Sequence, residues 1–312
     1  MKTLYVSDLD CTLLGPDSQI SPRSREMLNE AIHRGALFSI ATARTPATVA
    51  PILEGVDINI PAVVMTGVSL WNRDTGRYHN VKTMSPEVAR RTLDVYRRHG
   101  LPTYVYTLEN HDIQIYHLGE LSPQEREFME SRRGNPYKEF HIGVPIPDPL
   151  ENTILFYALQ PTERARVVFD DTRKIKEINP LLYHDFYGEE IAALEAFPAA
   201  ATKANAVREL AREVGADRIV AFGDNINDLT MLRAADVAVA VENAIPEVRE
   251  MADIVIGPNT EDSVARFILS EVEKQRNSAA EGGYWPINPG ACPGDVKTSD
   301  HAPEGPAEAP EA

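Results

Sequence analysis

Asp8-Leu9-Asp10-Cys11-Thr12 sets two carboxylates two residues apart, with a hydroxyl two further on, directly after the apolar run Leu4-Tyr5-Val6. Side chains at i and i+2 of a strand share a face, so a short turn can aim Asp8 and Asp10 into one cavity. Paired carboxylates suit a hard divalent cation, or a nucleophile beside an acid/base. They equally suit a turn, where Asp and Thr satisfy backbone amides. A second acidic cluster, Gly223-Asp224-Asn225-Ile226-Asn227-Asp228, follows the run Ile219-Val220-Ala221-Phe222. It holds more carboxylates and carboxamides than one helix cap needs, yet lacks the full acidic spacing of an EF-hand loop. Thr42 closes the apolar run 37–41 and Arg44 follows it. A hydroxyl and a guanidinium there can grip phosphate oxygens, or serve as a helix cap and a surface ion pair. Lys203 opens a helical pattern, where the helix dipole gives a cation no advantage. That placement favours a specific anionic partner over simple solvation.

The elements that must position these residues alternate. Residues 4–6, 37–41 and 61–65 read as strands, separated by helical patterns at 22–34 and 46–53. This is the βαβαβ signature of a mainly parallel sheet. A helix over 86–98, strands at 103–107 and 112–117, a strand at 154–159, a helix at 162–171 and a strand at 182–187 follow. The loop 108–111 is not one of the most specific two-residue hairpin types. The stretch 84–193 therefore reads as a second α/β unit inserted into the first. The βα rhythm returns after Pro198, with helices at 202–214, 227–234, 246–251 and 261–275 and strands at 218–222, 237–241 and 254–256. In such sheets ligands bind beyond the carboxyl ends of the strands, where all the candidate residues fall. From 278 the composition shifts: 281–312 holds six prolines and five glycines with six acids against one lysine, the pattern of a disordered acidic tail. Tyr284, Trp285 and Ile287 are its bulky apolar cluster.

Composition narrows the function. The chain has 312 residues, 43% of them hydrophobic, enough for a sizeable core without disulfides. Cys11 and Cys292 are its two cysteines, which excludes a disulfide scaffold and a four-cysteine zinc site. A net charge of −16 repels nucleic acid and anionic membranes. It does not repel a small anion from a pocket that holds a metal. Neither a signal peptide nor a transmembrane run is evident, so a cytoplasmic protein without nucleic-acid or membrane partners is expected.

The order Asp-x-Asp, Thr, Lys, Gly-Asp-x-x-x-Asp within one βα framework resembles the haloacid dehalogenase-like hydrolases. More narrowly it resembles the Cof-type phosphatases, with a large α/β cap between the second and third motifs. The resemblance covers about residues 1–270. It implies a Rossmann-like three-layer α/β core with a mainly parallel sheet (1–83 and 194–277), an inserted α/β cap (84–193) that selects substrate, and the tail 278–312. It also implies roles. Asp8 is the nucleophile that forms an aspartyl-phosphate, and Asp10 the general acid and then base. Thr12 and Thr42 bind phosphate oxygens. Lys203 neutralises the phosphoryl charge and orients Asp8. Asp224 binds Mg²⁺ with Asp8 and the Asp10 backbone carbonyl, and Asp228 supports the metal shell. Asn227 helps position the site, and Asn225, Asn243 and Arg44 line the pocket.

The chain departs from the family pattern in four places. Cys11 stands where glycine is usual, and Ala43 replaces another glycine. Thr66-Gly67-Val68 replaces Asn-Gly-Ala, and Glu242 precedes Asn243 where glycine is common. A negative φ would accommodate Cys11, and its thiol beside a metal invites oxidation. The expected activity is Mg²⁺-dependent hydrolysis of a small phosphomonoester, such as a sugar phosphate or a phosphorylated cofactor. The alternatives are a phosphomannomutase-like phosphomutase, which needs cap cations for a distal phosphate, and a catalytically silent phosphate-binding regulator. Oligomeric state is not legible.

Overall fold

Leu4, Tyr5 and Val6 are all buried, as a strand covered on both faces requires. They lie in the interior of the computed structural model, which describes residues 2–184 and 188–281. Strand β1 (Thr3–Ser7) leads through a tight turn to α1 (Pro22–His33), which the Ser21 hydroxyl caps by accepting from Ser24 N. Strand β2 (Leu37–Ile40), α2 (Pro46–Ile52) and β3 (Ala62–Val64) follow. The expected parallel third strand is only partly realised. A single parallel bridge joins Ala41 to Val63. β3 then forms a small antiparallel sheet with β4 (Ser69–Asn72) and β5 (Arg77–His79).

Next, α3 (Pro86–Arg98), β6 (Thr103–Glu109), β7 (Asp112–Leu118), α4 (Pro123–Glu130) and β8 (Lys138–His141) follow in order. They are followed by β9 (Thr153–Pro161), α5 (Thr162–Thr172), β10 (Ile178–His184) and β11 (Ile191–Pro198). Their six strands form a separate sheet in the order β10-β11-β9-β6-β7-β8, antiparallel except for β7 with β8. One face, with Val105, Phe156, Ala158 and Leu194, packs with Val88, Leu93 and Tyr96 of α3 and Val168 of α5. On the other, Tyr104 meets Phe128 of α4. The β6–β7 loop is tighter than its sequence suggests. Glu109 pairs with Asp112, and Asn110 and His111 both take positive φ (48° and 71°), as a type I′ turn demands. The strand expected over 182–187 starts earlier, at Ile178, and its last three positions lie outside the described residues.

The chain returns through α6 (Lys203–Val214), β12 (Arg218–Gly223), α7 (Leu229–Leu232), β13 (Val237–Val241), α8 (Pro246–Met251), β14 (Ile254–Ile256) and α9 (Ser263–Glu281). The main sheet runs β14-β13-β12-β1-β2, with every pairing parallel. The chain leaves β1 to one side through β2 and later builds outward on the other from β12. β1 is therefore the switch point, where a parallel sheet opens a crevice at its carboxyl end. Residues Met1–Glu273 make one compact unit, and a second begins at Lys274. α9 continues to Glu281, past the expected tail boundary at 278. Tyr284, Trp285, Ile287 and Cys292 lie outside the described residues. No helix among the described residues is long and apolar enough to cross a membrane.

Candidate active site

Asp8 leaves β1 with its amide still in the sheet, donating to Phe222 O of β12 at 3.0 Å. Register with β12 therefore fixes where its carboxylate begins. From the start of α6, Lys203 reaches the same point: Nζ donates to Asp8 Oδ1 at 2.8 Å and to Asp228 Oδ1 at 2.7 Å. Lys203 is 1% exposed, one of the largest fully buried side chains described. A lysine is almost never buried so deeply unless it is paired. Asp228 Oδ2 accepts from the backbone amides of Asp224 (3.0 Å) and Asn225 (3.2 Å), which pins the turn after β12. Gly223 is needed here, because a Cβ on it would lie 2.6 Å from the Asp228 Cβ. Asp224 Oδ1 accepts from the Thr12 hydroxyl at 2.6 Å, linking the two acidic clusters across 212 residues of sequence.

Asp8, Asp224 and Asp228 each offer one carboxylate oxygen, all within 4.8 Å of one another. With Lys203 as their common cation, the buried cluster carries a formal surplus of two negative charges. The protonation behaviour shows the consequence. Burial, then the Asp228 charge, lift Asp8 to about 7 against the opposing pull of Lys203. Burial chiefly lifts Asp224 to about 6, against the Thr12 hydrogen bond. Burial works against the charge on Lys203, but Asp228 and Asp8 outweigh it and hold the ammonium above its ordinary value. A divalent cation offsets this surplus, and oxygen donors alone suit a hard one. Asp228 has both oxygens engaged. Among the described residues no donor is bonded to Asp8 Oδ2 or Asp224 Oδ2, so those two are the oxygens open to a cation.

Asp10 is turned outward. Its half-exposed carboxylate accepts two bonds from Arg44, from Nε at 2.9 Å and from Nη2 at 2.5 Å. Arg44, expected to line the pocket, thus grips the carboxylate expected to move protons. The buried Thr42 Oγ1 accepts from Arg44 N at 3.1 Å and keeps its own proton to donate. Thr12 is buried and committed to Asp224. Asn225 is exposed, and its side chain caps the turn by accepting from Ile226 N. Asn227 is exposed, next in the chain to the buried Asp228. Asn243 is exposed and donates to Cys11 O at 2.8 Å, which ties it to the Asp8–Thr12 loop.

Cys11 departs from the expectation of a negative φ. It sits at φ 56°, ψ 6°, in the left-handed region. That region costs a non-glycine residue on the order of 1–3 kcal/mol. Burial and the charges of Asp224, Asp10 and Asp8 raise its thiol pKa, which works against the thiolate that oxidation needs. Met65 and Thr66 are also left-handed (52° and 56°), ahead of Gly67 at 93°. Gly67 has a steric role: a Cβ there would lie 2.3 Å from Thr202 O and 3.1 Å from Lys203 N. The loop after β3 therefore abuts the backbone that starts α6 and aims Lys203. Asn259, which follows β14, was not visible as a site residue. It donates through Nδ2 to Leu14 O at 2.7 Å and through its backbone N to Asn243 Oδ1 at 2.9 Å. Its place in a loop at the carboxyl end of a strand was the one available signal.

The family model for haloacid dehalogenase-like hydrolases matches residues 5–268. The chain belongs to that family. Among relatives of this hydrolase, the 5-amino-6-(5-phospho-D-ribitylamino)uracil phosphatase YwtE of Bacillus subtilis is 29% identical over 287 residues, covering 86% of this chain and 97% of its own. The pyridoxal phosphate phosphatase YbhA of Escherichia coli is 26% identical, covering 85% and 97%. A haloacid dehalogenase-like hydrolase from Bacteroides thetaiotaomicron superposes with a TM-score of 0.70 at 22% identity, covering 87% of this chain and 100% of that one. At that identity the likeness is one of fold. It agrees with the α/β architecture expected from the motifs.

Proposed function

We propose that this hydrolase is a Mg²⁺-dependent phosphatase that cleaves a small phosphomonoester through an aspartyl-phosphate on Asp8. The observation that carries this reading is the buried Asp8–Lys203–Asp228 bridge, with Asp224 beside it, at the carboxyl end of the switch-point strand. Lys203 fixes Asp8 through Oδ1 and so sets the orientation of its carboxylate. The carboxylate attacks phosphorus, and the substrate alcohol leaves with a proton from Asp10. Water then attacks the acyl phosphate, giving its proton to Asp10, and inorganic phosphate departs. Arg44 holds both oxygens of the outward-turned Asp10 carboxylate, so Asp10 must leave this ion pair and gain a proton before it acts as the acid. Thr42 supplies a hydroxyl beside the phosphoryl oxygens, whereas the Thr12 hydroxyl, expected to do the same, is spent on Asp224. A Mg²⁺ held by Asp8 and Asp224, with Asp228 behind them, supplies positive charge against the phosphate dianion when bound.

In this reading residues 84–193 act as a cap over a core made of 1–83 and 194–277, excluding water and choosing the alcohol portion, with β11 carrying the cap sheet on to Pro198. The two named relatives act on a phosphorylated ribitylamino-uracil and on pyridoxal phosphate, both small phosphate esters, which supports a small phosphorylated metabolite here. Of the cap cations, Arg90, Arg91 and Arg97 form exposed pairs with Asp148, Glu177 and Asp94, which account for these three without a distal phosphate. The test is release of phosphate from an aryl phosphate with Mg²⁺, repeated with Asp8→Asn and Asp10→Asn. D8N should abolish turnover. D10N should slow alkyl phosphates by about 10²–10⁴-fold and aryl phosphates less. Undiminished hydrolysis by D8N would overturn the reading.

A further inference from the structure

The turn that carries the expected nucleophile is held in a shape its sequence disfavours. Cys11 adopts left-handed backbone angles between Asp10 and Thr12. A glycine enters that region freely, whereas a cysteine stays there only when its surroundings hold it. Within the turn, Leu14 N closes onto Leu9 O at 2.9 Å. From outside, two asparagines take hold of two of its carbonyls. Asn243 Nδ2 donates to Cys11 O at 2.8 Å, and Asn259 Nδ2 donates to Leu14 O at 2.7 Å.

The asparagines also act on each other. Asn259 N donates to Asn243 Oδ1 at 2.9 Å, which settles which end of the Asn243 amide faces which way. With its oxygen turned to Asn259, its NH₂ must face Cys11 O. Asn243 follows β13 and Asn259 follows β14, and these strands pair in parallel up to Val241 with Ile256. The clamp is therefore delivered by two adjacent strand ends, one and two positions out from β12 and its Asp224.

We propose that Asn259, working with Asn243, is a positioning residue for phosphoryl transfer: the pair imposes on Cys11 the left-handed turn that glycine would take unaided. This rests on the reading of Asp8 as nucleophile. A displaced turn moves Asp10 and Thr12 relative to Asp8, so the clamp should matter to the chemical step more than to substrate binding.

The test is a cycle of Asn259→Ala and Cys11→Gly in the full chain, assayed with an aryl phosphate and Mg²⁺. N259A should lower kcat about tenfold, the rate equivalent of one lost hydrogen bond, with KM within about twofold. In the Cys11→Gly background the same substitution should cost less than about threefold, because glycine no longer needs the grip. Asn259→Asp, which keeps the shape and the backbone donor but loses the side-chain donor, should behave like N259A. Hydrogen exchange over residues 9–14 should be faster in N259A than in wild type, with the difference reduced when Cys11 is glycine. Equal losses in both backgrounds, or a loss carried by KM, would overturn the proposal. If the wild type releases no phosphate from any ester, the functional reading fails instead, and the exchange comparison still decides whether the clamp exists.

Discussion

Stripped of divalent cations with EDTA, the protein should lose stability as the pH rises from about 5.5 to about 8. Asp8 lies at about 7 in the folded chain and Asp224 at about 6, against an ordinary 3.8. Between those values the folded state binds more protons than the unfolded one, so stability falls with increasing pH. At 1.36 kcal/mol per pKa unit, integration over this window gives about 2 kcal/mol from Asp8 and about 1 kcal/mol from Asp224. Carboxylates that folding makes more acidic, Glu125, Asp171 and Glu177, are ionised in both states above pH 5.5 and add no slope. Lys203, held above its ordinary value, keeps its proton throughout. Urea unfolding at a series of pH values, on wild type and D8N, measures the effect. D8N should lose the larger part of the slope. Adding Mg²⁺ should stabilise wild type more at pH 8 than at pH 5.5, because the ligands bind as carboxylates. Stability that stays level or rises with pH in EDTA, or a D8N slope equal to wild type, would refute the view that the cluster is an overcharged site waiting for a cation.

Lys203→Met should cost about 3–5 kcal/mol at pH 8, since it leaves Asp8 and Asp228 buried without their cation. At about 2–4 °C per kcal/mol the thermal midpoint should fall by roughly 6–20 °C, and by less at pH 5.5, where Asp8 is protonated. Gly67→Ala should destabilise by about 1–3 kcal/mol and lower kcat, because the new Cβ meets Thr202 O at 2.3 Å and pushes on the start of α6. Gly35→Ala, also at positive φ but with nothing within 4 Å of its Cβ, should cost stability without touching kcat. Scanning calorimetry beside steady-state kinetics separates the two glycines.

Elements were legible where local chemistry marked both ends. Ser21-Pro22 and Ser85-Pro86 place a cap and a proline at the starts of α1 and α3, and both helices begin where expected. The small β3–β4–β5 sheet was not legible: its strands are three or four residues long, too short for an alternating pattern to show. α4 was missed despite a complete signature, Ser122 with Glu125 three residues on, which form a capping box in the structure. β11 was missed for a different reason. Ile191-Ala192-Ala193-Leu194 carries alanines, which favour strands weakly, and its pairing with β10 on one side and β9 on the other decides its state.

The site itself divides along the same line. Asp8, Lys203, Asp224 and Asp228 were readable from their order along the βα framework, since each alone equally suits a turn, a cap or a solvated surface. Their convergence follows once the sheet places β1 beside β12. Residues that act through backbone groups leave no such mark. Asn259 grips a carbonyl, Gly67 makes room for Thr202, and Gly223 makes room for Asp228. Asparagine and glycine are ordinary loop residues, and only the atoms they face give them a role. Cys11 is the reverse case. Its type is unusual for its place, yet side-chain chemistry does not explain it, because its thiol is held protonated and the strain lies in its backbone. A left-handed cysteine in a turn that must stay in register with Asp8 implies a compensating grip elsewhere in the chain. The grip sits more than 230 residues away at Asn243, a separation that no local reading of sequence bridges.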